Sequence, residues 1–371
     1  MTRNFRYFTI SYAFFHVAYE LVGLYGAISF YVIFDNSFLH AFGVYALIYF
    51  LNALLIRPAM SIISRIGTRN GMILANIFFV LSFFPLYQLP QKQTLIIVLW
   101  IVLSAIARAL YFLAYHYYIS ILTDEKTRAT SLGGFYAMGL LFGILTPFIG
   151  GYVSEFYGVQ GLAVIMAAFF VISILPLYFV ENFKFNLTNS IAKILFSRDT
   201  LKLAKMTIIN ELQAKETVWS IYLFLLLGAS FTYFGNVATI VAIISIIVSL
   251  VIGKVLDHFN RLKVLQYDAL INSTLWSIRS MVSSVFGIIF VDSLFKINIH
   301  VRNQAFSSIN YDLLAKRNQE QLFDEKIVAR EIWVTFIISL NFALSMILVS
   351  VFGFQAVFIF AAAASLLFWL I

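Results

Sequence analysis

The chain has 371 residues, 62% of them hydrophobic, 18% aromatic and only 11% charged, with a formal net charge of +8. A soluble domain carries about a quarter of its residues as charge, so a water-soluble protein is excluded, and the mean hydropathy of +0.92 places the chain in a membrane. With no cysteine, disulfides, thiolate metal sites and cysteine nucleophiles are excluded too.

About 20 apolar residues cross a bilayer core. On that rule the chain divides into twelve spans, at 8–34, 38–63, 71–89, 94–120, 131–153, 159–180, 203–228, 231–255, 263–283, 286–310, 332–352 and 354–371. The first lacks the short apolar core and small-residue cleavage site of a signal peptide, so it reads as a retained helix. Span 5 is rich in small residues, SLGGFYAMGLLFGILTPFIGGYV, which favours close helix approach with a kink at Pro147. Between spans 6 and 7, residues 181–202 carry Lys184, Lys193, Arg198 and Lys202 among Phe and Leu, the pattern of an amphipathic helix on an anionic leaflet. The division of 263–310 into two helices rests on Gly287, and 311–331 reads as a solvated helical connector. The apolar run ending at Ile371 has no basic tail, so a longer natural C-terminus is expected.

Lys and Arg are retained on the cytoplasmic side of short loops. With the N-terminus inside, nineteen of them fall on inner segments and helix ends, against Lys92 alone outside. Both termini of this multi-pass cell-membrane chain are thus expected in the cytoplasm. The positive charge is then a topology signal and does not point to nucleic acid, which requires basic residues gathered on a soluble face.

Charges at mid-bilayer are costly and face a cavity or a partner. Span 1 carries His16 and Glu20, span 4 Arg108, span 7 Glu211, Lys215 and Glu216, and span 10 Asp292, Lys296, His300 and Arg302. Asp292, Lys296 and His300 recur at steps of four and share one helix face, with Arg302 off it. Two readings stand for Asp292 and Lys296, a cavity wall or a mutually neutralising pair. Two also stand for Glu211, Lys215 and Glu216, a buried span or a surface before a helix starting near 217. Asp268 and Arg279 lie nearer the ends of span 9 and are expected to snorkel, and His116 is expected at the interface.

After span 2 the chain reads MSIISRIGTRNG, and after span 8 GKVLDHFNRLKV, superimposed by a shift of 193 residues. Gly253, Asp257, His258, Arg261 and Lys263 resemble the loop signature of the major facilitator superfamily, and the resemblance covers essentially the whole chain. The first copy keeps Arg65, Gly67 and Arg69 but has Met60 for the glycine and Ser64 for the acid. In that family the loop latches one access state, a role the resemblance carries to Gly253, Asp257, Arg261, Lys263, Arg65, Gly67 and Arg69, with the N-terminal copy in doubt. Gly139, Gly143, Pro147, Gly150 and Gly151 resemble the glycine-proline motif of family exporters, except for Thr146 in place of a glycine.

The resemblance implies an all-α integral membrane protein with twelve transmembrane helices in two pseudo-symmetric six-helix bundles, 1–180 and 203–371, joined by 181–202. Helices 1, 4, 7 and 10 line the cavity in the family, and they are the spans that carry the charges. The shift of 193 also lays Glu20 on Gln213 and Arg108 on Val301. Secondary transport of a small organic solute by alternating access follows, with the protein a monomer among membrane lipids. No phosphate-binding loop, catalytic triad or metal-ligand set is present, so no enzyme and no cofactor are expected, and protons fit best as the driving ion. Glu20 with His16 as relay is the first proton site, and Glu211 or Asp292 the second. Arg108, Lys215, Glu216, Lys296, His300 and Arg302 are the substrate-binding candidates, suited to an anionic, zwitterionic or amphiphilic solute. The alternative is a non-transporting membrane scaffold or sensor, which the degenerate first signature would suit.

Overall fold

A computed structural model describes residues 3–123, 128–184, 191–213, 215–256, 261–314 and 323–370, and every regular element in these residues is helical. Lipid offers the backbone no hydrogen-bond partner, so apolar segments of this length satisfy their amides internally as helices. Among the described residues, six helical stretches are long and apolar enough to cross a membrane: Arg3–Ile33, Phe38–Ile66, Thr68–Tyr87, Thr94–Leu122, Gly133–Leu177 and Asp324–Phe352.

The first stretch is α1 (Arg3–Leu21) and α2 (Ala27–Ile33), joined without a break by a π turn at Val22–Gly26. It is followed by α3 (Phe38–Ile66), α4 (Thr68–Tyr87), α5 (Thr94–Leu122), α6 (Arg128–Gly143) and α7 (Thr146–Leu177). Pro147 opens α7, a position where its missing amide costs nothing. Gly158, at φ 60°, breaks α7 into two helices of different direction. The rest comprises α8 (Ile191–Leu195), α9 (Arg198–Gln213), α10 (Glu216–Leu226), α11 (Phe231–Leu256), α12 (Arg261–Arg279), α13 (Val285–Leu314), α14 (Phe323–Phe352) and α15 (Phe354–Ser365).

Several boundaries differ from the expectations. The break between spans 9 and 10 is the serine-rich 280–284, not Gly287, which lies inside α13. Span 7 is two helices, α9 and α10, interrupted ahead of Glu216. The amphipathic segment contains, among its described residues, the five-residue α8 and the first residues of α9 from Arg198, and 185–190 lie outside them. Residues 181–184 are not helical, and their polar groups serve the first helices. The amide and hydroxyl of Thr68 both donate to the Phe183 carbonyl at 2.7 and 3.1 Å, and the Asn182 amide bonds the Ile66 carbonyl at 2.9 Å. Gly67, at φ 88°, leaves the space that the Asn182 side chain fills.

α1, α3, α4, α5, α6 and α7 pack on one another, as do α9, α11, α12, α13, α14 and α15. The two groups meet chiefly along α3 with α14 and α7 with α11, and also along α5 with α14, α6 with α13 and α2 with α10. The core of the first group is aromatic: Phe15 stacks on Tyr111 at 3.5 Å, and Phe79 on Phe170 at 4.6 Å.

Candidate functional site

A cavity of about 500 Å³ lies between the two groups of helices, lined from α1, the π turn, α10, α11 and α13, with Arg279 at the end of α12 and Gly143 and Ile144 at the end of α6. The π turn begins two residues after Glu20 and carries Gly23 and Leu24 into the lining, and such turns recur at functional sites. His16 and Glu20, one helical turn apart, lie 3.7 Å from each other and are each about a quarter exposed, 26% and 24%. α6 comes close to them because it has no side chain there: a Cβ on Gly139 would stand 3.4 Å from the His16 ring, and one on Gly143 would collide with the Glu20 carboxylate.

Across the cavity, α10 opens with Glu216, where the helix dipole favours a carboxylate. Glu216 lines the cavity and one of its oxygens, Oε1, is buried without a hydrogen-bond partner. α13 supplies Asp292, Lys296 and His300 from one face. Asp292 is neutralised, but not by Lys296. Arg279 of α12 donates to its Oδ1 through Nε and a terminal nitrogen at 3.0 and 2.8 Å, and the Trp219 indole donates to Oδ2 at 2.8 Å. Arg279 does not snorkel. It is 2% exposed, and its guanidinium lies over Trp219, Trp276 and Phe295, 3.5 Å from the last centroid. Charge pairing and three aromatic faces outweigh the pull of water.

Four other candidates do not line the cavity. Arg108 is buried beneath it and donates to the hydroxyls of Tyr19 and Tyr49 at 2.7 and 2.8 Å, so it reaches the cavity only through Tyr19. Lys215 sits at the break before α10 and turns away, donating to Asn341 and to the Ser345 hydroxyl at 3.0 Å. A helix does start near 217, at Glu216, but Lys215 is 1% exposed and Glu211 and Glu216 are half-buried, so none of the three stands at an open surface. Glu211 accepts from Asn210 at 3.1 Å and lies within electrostatic reach of Arg302 and Arg330. Arg302 points into the second group of helices, beside Asp268. His116 is also away from the interface: its Nε2 meets Glu331 of α14 at 3.4 Å, joining the two groups.

The glycine-proline stretch forms a second set of contacts between the groups. Within the first group the Tyr25 hydroxyl donates to the Pro147 carbonyl and its ring fills the space above Gly150, and across to the second its ring meets Phe234 of α11 edge-on at 5.5 Å. A Cβ on Gly151 would stand 3.0 Å from the Cα of Gly235 on α11. Glu155 extends this contact by accepting from the Thr232 amide at 3.1 Å. Of the latch candidates, Gly67 and Arg69 bond within the first group, Arg69 through its amide to Asn182 at 3.0 Å, and Arg65 is exposed. Gly253 lies in α11, Arg261 and Lys263 open α12, and Asp257 lies outside the described residues.

Sequence reasoning missed Arg279, Trp219, Tyr25 and Gly235. Arg279 left a signal, a cation only thirteen residues before Asp292 in an apolar region. Gly235 left only a small residue near the start of a span.

The family model described as the Major Facilitator Superfamily matches residues 8–235, more than half the chain. The chain belongs to the major facilitator superfamily. It is thus a multi-pass membrane protein of a transporter family, not an enzyme. No curated protein matches it in sequence. Among solved structures it is similar to the human organic anion transporter MFSD10 (TETRAN), with a TM-score of 0.74 at 11% identity, over 99% of this chain and 98% of that one. A POT family transporter in complex with 5-aminolevulinic acid gives 0.73 at 12% identity, over 100% and 95%. The E. coli fucose:proton symporter FucP gives 0.65 at 14% identity, over 99% and 97%. At such identities the likeness is one of fold.

Proposed function

We propose that this superfamily member is a proton-coupled secondary transporter, in which two six-helix bundles, 1–180 and 203–371, rock about the cavity between them. Twelve spans arise when α1 with α2, α6 with the part of α7 before Gly158, the part of α7 after Gly158, and α9 with α10 are each counted as a single crossing. The basic residues then place both termini in the cytoplasm. The observation that carries the reading is the cavity itself, formed between the two groups and holding ionisable side chains from α1, α10 and α13.

The charges in the lining narrow the substrate. Arg279 and Asp292 neutralise each other, and Arg108, Lys215 and Arg302 point elsewhere. Glu20, Glu216 and Lys296 remain, with His16 and His300 between them. Two carboxylates and one ammonium around an otherwise apolar space suit a zwitterion with an amine and an apolar body better than a simple anion. Glu20 is the proton site the geometry favours, because His16 is its neighbour and both face the cavity, whereas Asp292 is held by Arg279 and Trp219.

The test is flux in proteoliposomes under an imposed pH gradient, with amino acids and short peptides as probes. Glu20→Gln is expected to abolish gradient-driven accumulation while leaving exchange down the solute's own gradient. Undiminished pH-driven accumulation in the variant would remove the proton claim for Glu20.

A further inference from the structure

Asp268 was expected at a membrane interface, but the structure buries it to 2% exposure inside the second group of helices. Its Oδ1 accepts from the Asn298 amide of α13 at 2.7 Å, and its Oδ2 has no hydrogen-bond partner. One turn beyond Asn298, Arg302 is equally buried, with Nε and Nη1 unpartnered. Its charge reaches both Asp268 and Glu211, yet it makes no ion pair with either among the described residues. One turn along α12 from Asp268, the Asn272 amide donates to Gln213 of α9 at 2.6 Å and to Ser365 of α15 at 2.8 Å, leaving Asn272 Oδ1 and Gln213 Nε2 unfilled. A carboxyl, a guanidinium and several unfilled donors and acceptors thus share one buried site outside the cavity.

Two arrangements satisfy such a site. A charged carboxylate without an ion pair in this surrounding is costly, so with Arg302 standing off, Asp268 holds a proton on Oδ2. When the proton leaves to water, the carboxylate is stable only if Arg302 closes on it. We propose that Asp268 is a second proton-binding residue of the transporter, and that Arg302 is the cation whose approach and withdrawal release and reload it. The groups facing Asp268 fit this role. α13 presents Arg302 and Asn298 to Asp268; one turn on, Asn272 meets Gln213 of α9 and Ser365 of α15, Glu211 lies within electrostatic reach of Arg302, and the first turn of α12 itself carries Arg261 and Lys263. The link to the cavity is α13: Asn298 and Arg302 lie on its inner face, and Lys296 and His300 on its cavity face. A movement of Arg302 toward Asp268 shifts both faces together.

This inference rests on the proton-coupled reading, but it can be tested without a substrate. Infrared difference spectra of the purified protein, titrated from about pH 4 to about pH 9 to bracket carboxyl and histidine ionisation, report the protonated-carboxyl band and its shift in heavy water. Asp268→Asn is expected to remove one titrating carboxyl. Arg302→Gln is expected to raise the midpoint of that carboxyl by about one to three pH units, because a nearby cation favours the charged form. Glu20→Gln is expected to leave it in place. A spectrum of Asp268→Asn that titrates as the unmodified protein overturns the proposal. Should that variant not fold, an unmoved midpoint in Arg302→Gln overturns it equally. A titrating Asp268 in a protein whose flux ignores pH gradients would instead reject proton coupling and leave the protonation site standing.

Discussion

The two groups of helices bury charge in different ways. In the first, Arg108 has no acidic partner and is held by the hydroxyls and ring faces of Tyr19 and Tyr49, whose rings pack into an aromatic core. In the second, charges are matched by charge or amide: Asp292 by Arg279, Asp268 by Asn298, Lys215 by Asn341 and Ser345. The first solution leaves a lasting positive charge just behind Tyr19, independent of any protonation. The second makes stability depend on which protons are bound. The charge around Arg108 is thus constant, whereas the charges around Asp268 and Asp292 can switch; His16 and Glu20, which face the cavity from the first group, belong to neither pattern.

The largest expected effect breaks the second half. Asp292→Ala leaves Arg279 buried and unpaired, at a cost of about 3–5 kcal/mol. It is expected to lower folded yield and melting temperature more than any substitution in the first half or at the contact between the halves. Asp292→Leu with Arg279→Met should recover most of the loss, as measured by melting in detergent.

Next comes the contact between the halves. A side chain on Gly151 meets the backbone of α11 at Phe231 and Gly235, so Gly151→Val is expected to penalise this closed arrangement by about 1–3 kcal/mol. Because the chain has no cysteine, a single introduced Tyr25→Cys can report the opening as faster labelling.

The Arg108 cluster should respond less. Tyr49→Phe removes one charge-assisted hydrogen bond from Arg108 but keeps the ring stacked on Phe342 at 5.7 Å. About 1–3 kcal/mol of stability is expected to be lost, with no change in pH dependence. A pH-dependent loss would contradict the contrast between the halves. The smallest effect is at the surface: Lys92 pairs with Asp35 at 2.9 Å, where Asp35 is 88% exposed, so Lys92→Ala should change melting by no more than about 1 kcal/mol.

Much of this was legible in the chain. Membrane character and helical class followed from composition, the cost of charge in lipid marked His16, Glu20, Glu216, Lys296 and His300, the step of four put His16 with Glu20 and Lys296 with His300 on shared faces, and the family resemblance implied one cavity for their helices. The roles of Arg108, Lys215 and Arg302 were not legible, because helical spacing gives a residue's face but not which neighbour that face meets. Asp268 and Arg279 were misplaced for a related reason: nearness to a helix end permits snorkelling, and only the presence of Asp292 and Asn298 on the adjacent helix makes burial better.

The sequence alone determined that lipid surrounds the protein, that its backbone is helical and which helices carry charge, since these follow from hydropathy and from the absence of water in a bilayer. Only the tertiary structure decided which charges face the cavity, which neutralise one another and which remain half-satisfied. Those outcomes depend on distances of a few ångströms between helices far apart in the chain. Between Arg279 and Asp292, or Asp268 and Arg302, that distance separates a fixed ion pair from a proton-binding site.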